Sequence, residues 1–223
     1  NGDDTLIGVA ITDGEQQIML FSNEGKAIRF AETDVRSMGR SAKGVRGMRV
    51  TIGASQVEDA EDAEVESDDE DATEANFISR IVSLVVVPET GEVLCASANG
   101  YGKRTPVDDF PTKKRGGKGV IAIKTSERNG ELVGAVAIDA SKELMLISDG
   151  GTLVRTRASE VAQTGRNAQG VRLIRLSDAE TLVGVVSIEA VEEDDETLEV
   201  MTGIIDIIHV FDKIFLFCQC LQD

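Results

Sequence analysis

One block of forty-five residues is written three times in this chain, and that repetition limits the fold more than any other feature of its 223 residues. "LIGVAITDGEQQIMLFSNEGKAIRFAETDVRSMGRSAKGVRGMRV" (6–50), "IVSLVVVPETGEVLCASANGYGKRTPVDDFPTKKRGGKGVIAIKT" (81–125) and "LVGAVAIDASKELMLISDGGTLVRTRASEVAQTGRNAQGVRLIRL" (132–176) align without a gap. In each copy a turn glycine precedes a second glycine by nineteen residues: Gly25 and Gly44, Gly100 and Gly119, Gly151 and Gly170. A fourth copy opens with "LVGVVSI" (182–188) and then gives way to "EAVEEDDE". The underlying period is about fifty residues, which is repeat architecture.

Within a copy the pattern is that of strands. The runs "LVGAVAI", "ELMLIS", "TLVRTR" and "VRLIRL" are rich in Val, Ile, Leu and Thr and are separated by Gly, Asn, Asp and Ser, which reads as four short strands per repeat. Four strands in about fifty residues is the size of one propeller blade. The expected class is therefore all-β, an incomplete array of four-stranded blades. The blades fall at 1–50, 80–125 and 126–176, with the start of a further blade at 177–188.

Charge is distributed as unevenly as the strands are regular. The net charge is -17, yet residues 51–79 hold eleven acids and residues 189–199 hold seven, neither with a single Lys or Arg. Setting those eighteen aside leaves twenty-two acids against twenty-three bases, so the scaffold is about neutral and is free to carry a basic face. The insert at 51–79 has the composition of a disordered segment, and 189–200 reads as an acidic tail. Residues 201–223 form an apolar tail that shifts composition abruptly, holding three of the seven Phe, two of the three Cys and the only His, and it reads as a non-native end.

The bases recur in register. Arg29, Arg104 and Arg155 share one column, Arg40, Arg115 and Arg166 a second, and Arg49, Lys124 and Arg175 a third. Lys43 and Lys118 match at a fourth, and an acid column of Asp34, Asp109 and Glu160 precedes the second by six residues. With blades side by side, each column becomes an arc of like charge, which suits a wrapped phosphate backbone. The most concentrated stretch, "KKRGGKG" (113–119), fits a phosphate-contact loop: glycine lets the backbone come close and expose N–H donors, and Lys and Arg displace counterions. A tight turn with solvated cations is the plainer reading of any one copy.

Catalysis has little to stand on. The stretch lacks the P-loop spacing, and no dinucleotide-binding glycine pattern follows a strand. His209 lies outside the repeats, and Tyr101 occupies a turn that the other copies fill with Lys26 and Thr152. The acid column supplies one carboxylate per blade, more suited to supporting turns or pairing arginines than to acid–base work or metal binding. Cys95, Cys218 and Cys220 form no zinc or disulfide spacing, which suits a reducing compartment. No signal peptide is read, and the run at 203–218 is too short and too polar to span a bilayer.

The basic glycine loop, the phrases "NGYGKRT", "TSERNG", "GTLVRTR" and "GRNAQGVRLIRL", and the four-strand period together resemble the C-terminal domain of gyrase A, part of a type IIA DNA topoisomerase, over residues 5 to about 190. The resemblance implies a six-bladed β-pinwheel whose blades exchange a strand and whose basic rim wraps duplex DNA without sequence specificity. Arg115, Gly116, Gly117, Lys118 and Gly119 match the family's seven-residue basic box, with Lys113 and Lys114 in its first two places, although the order of blades makes this a later copy of the loop. The DNA-binding set so implied is Arg29, Arg40, Lys43, Arg46, Arg49, Lys103, Arg104, Lys113, Lys114, Arg115, Gly116, Gly117, Lys118, Gly119, Lys124, Arg155, Arg157, Arg166, Arg172 and Arg175. By the same resemblance this chain holds no catalytic residue, metal or cofactor. Strand cleavage then belongs to the rest of gyrase A, while ATP and Mg belong to other parts of an A2B2 holoenzyme formed with gyrase B, and the setting is the bacterial cytoplasm. Three repeats and part of a fourth are too few to close six blades, so a fragment is expected. The equivalent domain of topoisomerase IV and a propeller-type protein-interaction scaffold are the rival readings.

Overall fold

The computed structural model describes residues 5–50, 79–88, 90–177 and 179–190. All but Ser79 of the acidic insert, the acidic tail after residue 190 and the apolar tail, with Cys218, Cys220 and His209, lie outside the described residues. Among the described residues eleven strands are formed: β1 Gln17–Ser22, β2 Lys26–Ala31, β3 Ile81–Val86, β4 Glu92–Ser97, β5 Tyr101–Pro106, β6 Val120–Ile121, β7 Leu132–Ile138, β8 Glu143–Ser148, β9 Leu153–Arg157, β10 Val171–Arg172 and β11 Leu182–Ile188. Each repeat contributes a central hairpin, β1–β2, β4–β5 or β8–β9, followed by one short 3-10 turn at Glu32–Asp34, Val107–Asp109 or Ala158–Glu160. Among the described residues there is no α-helix.

The sheets cut across the repeats. Their orders are β3-β1-β2-β6, β7-β4-β5-β10 and β11-β8-β9. A hairpin thus takes its first-edge strand from the opening run of the next repeat and, in the two four-stranded sheets, its last-edge strand from that repeat's closing run. The sequence repeat is the reading unit, but the blade is assembled from two repeats. All named pairings are antiparallel, and the register slips at one recurring place, between Phe21 and Ser22, between Ala96 and Ser97, and between Leu182 and Gly184 opposite Ser148. This bulge lets each sheet twist where the opening strand enters it.

Cores lie between successive blades. Met19, Phe21, Val93, Cys95, Phe110, Ile123 and Leu132 form one cluster, with Phe21 and Phe110 edge to face at 6.4 Å. Leu94, Leu144, Leu146, Val161, Ile174 and Leu182 form the next. Opening strand β7 packs against β3 and against β11, which explains why these runs are continuously apolar rather than alternating.

The glycines nineteen residues apart belong to different junctions. A Cβ at Gly25 would lie 2.3 Å from the Ile123 carbonyl oxygen, and one at Gly119 would lie 2.5 Å from that of Ala27. The next junction repeats the arrangement, with Gly100 2.7 Å from the Ile174 oxygen and Gly170 2.6 Å from the Gly102 oxygen. All four facing atoms are backbone oxygens, and all four φ angles lie between 77° and 86°, so only glycine fits. The Gly25 carbonyl accepts from the N–H groups of Ala122 and Ile123, and the Gly100 carbonyl accepts from those of Leu173 and Ile174.

Candidate nucleic-acid interface

The basic loop lies along the preceding blade. The Lys113 N–H donates to the Arg29 carbonyl at 2.8 Å, the Gly116 N–H to the Gly47 carbonyl at 2.7 Å, and the Arg49 N–H to the Gly117 carbonyl at 2.9 Å. The Gly116 donor, expected to be open to a phosphate, is therefore already bonded within the protein. Gly116 and Gly117 have no neighbour that a Cβ would strike, whereas Gly119 is fixed by the junction. Lys113, Lys114 and Lys118 project from this anchored backbone and are exposed.

Two arginine columns join blades. Arg29 donates to Gln17 on its own sheet and, through Nη1, to the carbonyls of Val107 at 2.9 Å and Phe110 at 3.2 Å in the next repeat's 3-10 turn. Arg104 repeats this with Nε to the Val161 carbonyl at 2.7 Å and Nη1 to the Glu92 carboxylate at 2.7 Å. Arg155 bonds only Glu143 among the described residues. The second column reaches the other way. Arg115 donates to the carbonyls of Asp34 and Arg46, and Arg166 to that of Ile121 at 3.4 Å. Register of charge in the sequence does not reveal these inter-blade bonds.

Lys103, expected on the basic face, is instead fully buried. It sits opposite Cys95 in the β4–β5 pair, and its ammonium donates to Thr105 Oγ1 at 2.9 Å and to the Gly165 carbonyl at 2.8 Å. Burial lowers its pKa to about 8 and pushes the Cys95 thiol up to about 12. Two hydrogen bonds compensate the ammonium's desolvation only in part.

The remaining cations are presented to solvent: Arg40, Lys43, Arg46, Arg49, Lys113, Lys114, Lys118, Lys124, Arg155, Arg157, Arg172 and Arg175 are all exposed. Among the described residues, only Arg155 of this group has a carboxylate partner. The third column, Arg49, Lys124 and Arg175, is exposed in every repeat, as is the Lys43–Lys118 column. Arg36 and Arg128 are also exposed, and sequence reasoning misses them because neither falls in a column that the other copies keep basic. Asp109, Gly165, Arg166, Asn167 and Ala168 line a surface depression of about 410 Å³ between the second 3-10 turn and the following loop. Among the described residues no His, Cys, Asp and Glu group could hold a metal ion, and no helix is long and apolar enough to cross a membrane.

Comparison with known proteins follows the blades. A family model described as "DNA gyrase C-terminal domain, beta-propeller" matches residues 16–54, 91–139 and 142–189. The chain is 50% identical over 200 residues to the DNA gyrase A protein of Haemophilus influenzae, covering 88% of this chain and 23% of that protein. Against the DNA gyrase A protein of Escherichia coli it is 47% identical over 193 residues, covering 86% and 19%. It therefore spans about a fifth of the length of these relatives. A solved DNA gyrase A C-terminal domain superposes with a TM-score of 0.63 at 27% identity, over 78% of this chain and 51% of that one. A topoisomerase IV C-terminal domain gives 0.69 at 20% identity, over 93% and 56%, a likeness of fold alone. With the matched segments covering more than half of the chain and falling on its hairpins and junctions, the protein belongs to the DNA gyrase C-terminal domain family.

Proposed function

We propose that this chain binds duplex DNA without sequence specificity and bends it along the exposed cation columns. The observation that carries the reading is the third column, where Arg49, Lys124 and Arg175 are exposed in all three repeats and have no carboxylate partner among the described residues. A cation repeated once per blade at one register position meets a polyanion repeated along its own axis. Phosphate neutralisation releases counterions, which supplies affinity but no base preference. Bending 20 to 30 bp by 40 to 90° costs roughly 1 to 6 kcal/mol, so several contacts spread along the arc are needed to offset it.

In this reading the domain does no chemistry. It acts within a bacterial, cytoplasmic A2B2 assembly of gyrase A and gyrase B. Wrapping of one hand presents a neighbouring DNA segment to a gate elsewhere in gyrase A, and ATP hydrolysis by gyrase B drives the passage that introduces negative supercoils. The residues Arg40, Lys43, Arg46, Lys113, Lys114, Lys118, Arg157 and Arg172 extend the contact surface. The test is binding to a duplex of about 20 bp and to one several times longer. The longer duplex is expected to bind more tightly per molecule and with a steeper salt dependence, because it follows more of the arc. Equal affinity for both lengths at every salt concentration would defeat the bending reading.

A further inference from the structure

The edge of the second sheet, where β10 of the third repeat joins β5, carries a cluster that the columns do not account for. Arg172 stands opposite Tyr101 in the β10–β5 pair. Its Nη2 donates to the Tyr101 hydroxyl at 2.9 Å, and its guanidinium lies 5.4 Å from the ring centroid. Arg128, from the connection between β6 and β7, places its guanidinium 4.9 Å from the same centroid. The ring is nearly buried while both arginines are exposed. The connection is held in place: the Asn99 side-chain amide donates to the carbonyls of Glu127 at 2.9 Å and Arg128 at 3.2 Å, and the Asn129 amide to those of Lys124 at 2.9 Å and Gln169 at 3.1 Å.

The same place one junction earlier is built differently. There the pair is Lys26 opposite Ile121, and Lys26 is neutralised by Glu24 at 2.7 Å. At Tyr101 two cations meet on one ring, and among the described residues no carboxylate is paired with either. Each guanidinium is attracted to the ring face, but their mutual repulsion is left for an external anion to relieve. The two hold the Tyr101 phenol below its ordinary pKa, Arg172 more than Arg128, as cations on a phenol must.

We infer that Arg128 and Arg172, aligned on the Tyr101 ring, form a two-guanidinium clamp for one phosphodiester group of the bound duplex. This rests on the DNA-binding reading. A guanidinium offers parallel N–H donors that match phosphate oxygens, and two forks fixed on a common platform lose little freedom on binding. Tyr101 is then a positioning residue: it holds the donors and does not itself touch the phosphate.

These 223 residues contain a single tyrosine, so this chain grown with 3-fluorotyrosine gives one 19F resonance that reports this site alone. Titration with duplex DNA is expected to shift that resonance in step with binding read separately by anisotropy of labelled DNA. The double variant Arg128→Gln/Arg172→Gln is expected to lower the salt slope by about 0.9, the share of one phosphate, so that the affinity lost between 50 and 200 mM salt shrinks by about 3.5-fold. Tyr101→Phe, which keeps the ring, stays close to the parent, and Tyr101→Thr, the third repeat's residue, behaves like the double variant. DNA that binds without moving the resonance, or a double variant with the parent's slope, overturns the clamp and leaves the DNA-binding reading standing. No duplex binding at low salt overturns that reading itself. A resonance moved by polyglutamate and not by DNA assigns the site to an acidic peptide and overturns the phosphate assignment.

Discussion

The second and third hairpins carry nearly the same chemistry in different surroundings. Around β4–β5 the junction is complete: Gly100 lies against the Ile174 carbonyl and Gly170 against that of Gly102, Arg104 reaches the next 3-10 turn, and Lys103 is sealed beneath the loop. Around β8–β9 the sheet has three strands, and β9 has no partner on its far side among the described residues. Leu153, in the column where Ala27 is buried, is 52% exposed. The Arg155 side chain is 44% exposed where that of Arg104 is 13%. The opening run at the other end shows the complement. Leu6, Ile7, Val9 and Ile11 occupy the positions of β7 yet are exposed and form no strand. The same residue pattern is a strand, a clamp or a junction only when the adjoining repeat lies against it.

This contrast is sharpest at the glycines. Gly100→Ala places a Cβ against backbone in a left-handed conformation, and a loss of about 4 kcal/mol or more is expected. Gly151 has the same φ sign with nothing within 4 Å, so Gly151→Ala meets only the backbone preference, about 1 kcal/mol. Urea unfolding of both variants reads the difference, and equal losses would break the account of the junction.

The arginines give the next largest effect. Arg104→Met strands the shielded Glu92 carboxylate and the Val161 and Ser159 carbonyls of the next repeat, for an expected loss of about 3 kcal/mol. Arg155→Met removes the one partner that the Glu143 carboxylate, itself 12% exposed, has among the described residues, but strands no carbonyl of a further repeat, and the expected loss is smaller, about 1 kcal/mol. The same unfolding measurement ranks them.

A smaller effect separates the buried ammonium from every exposed lysine. The folded-state value of Lys103, about 8, lies below that of the unfolded chain, so above pH 8 unfolding takes up a proton and stability rises with pH. Cys95 acts in the opposite sense: its folded value of about 12 lies above the ordinary 9.0, so stability falls as pH climbs past that ordinary value. Between pH 8 and 9 the parent is expected to gain about 1 kcal/mol relative to Lys103→Met. Parallel stability curves for the two proteins over that interval would show that Lys103 is solvated.

Most of the architecture is legible in the sequence because the periodicities are local. Strand runs, turn glycines and the fifty-residue period follow from side-chain spacing along a single copy. Pairing across copies is what stays hidden. Nothing in "VRLIRL" says that Val171 and Arg172 join β5 of the previous repeat, and this exchange turns Gly119 and Gly170 from loop glycines into backbone contacts. The same gap explains Lys103. Beside Arg104 in the sequence it reads as a surface cation, yet alternation along β5 points it inward, where Thr105 Oγ1 of its own strand and the Gly165 carbonyl of the next repeat accept from it. Tyr101 reads as a mere turn residue because its partners, Arg128 and Arg172, lie 27 and 71 positions away.

In the proposed DNA-binding reading, exposed columns meet DNA phosphates while other basic residues hold the blades together. It is tested most directly by the salt dependence of duplex binding for the parent, for Arg49→Gln/Lys124→Gln/Arg175→Gln and for Lys103→Met. The triple variant is expected to reduce the slope of log K against log salt by about 2.7 without changing the unfolding midpoint, and Lys103→Met to leave the slope untouched. A triple variant with the parent's slope would contradict the claim.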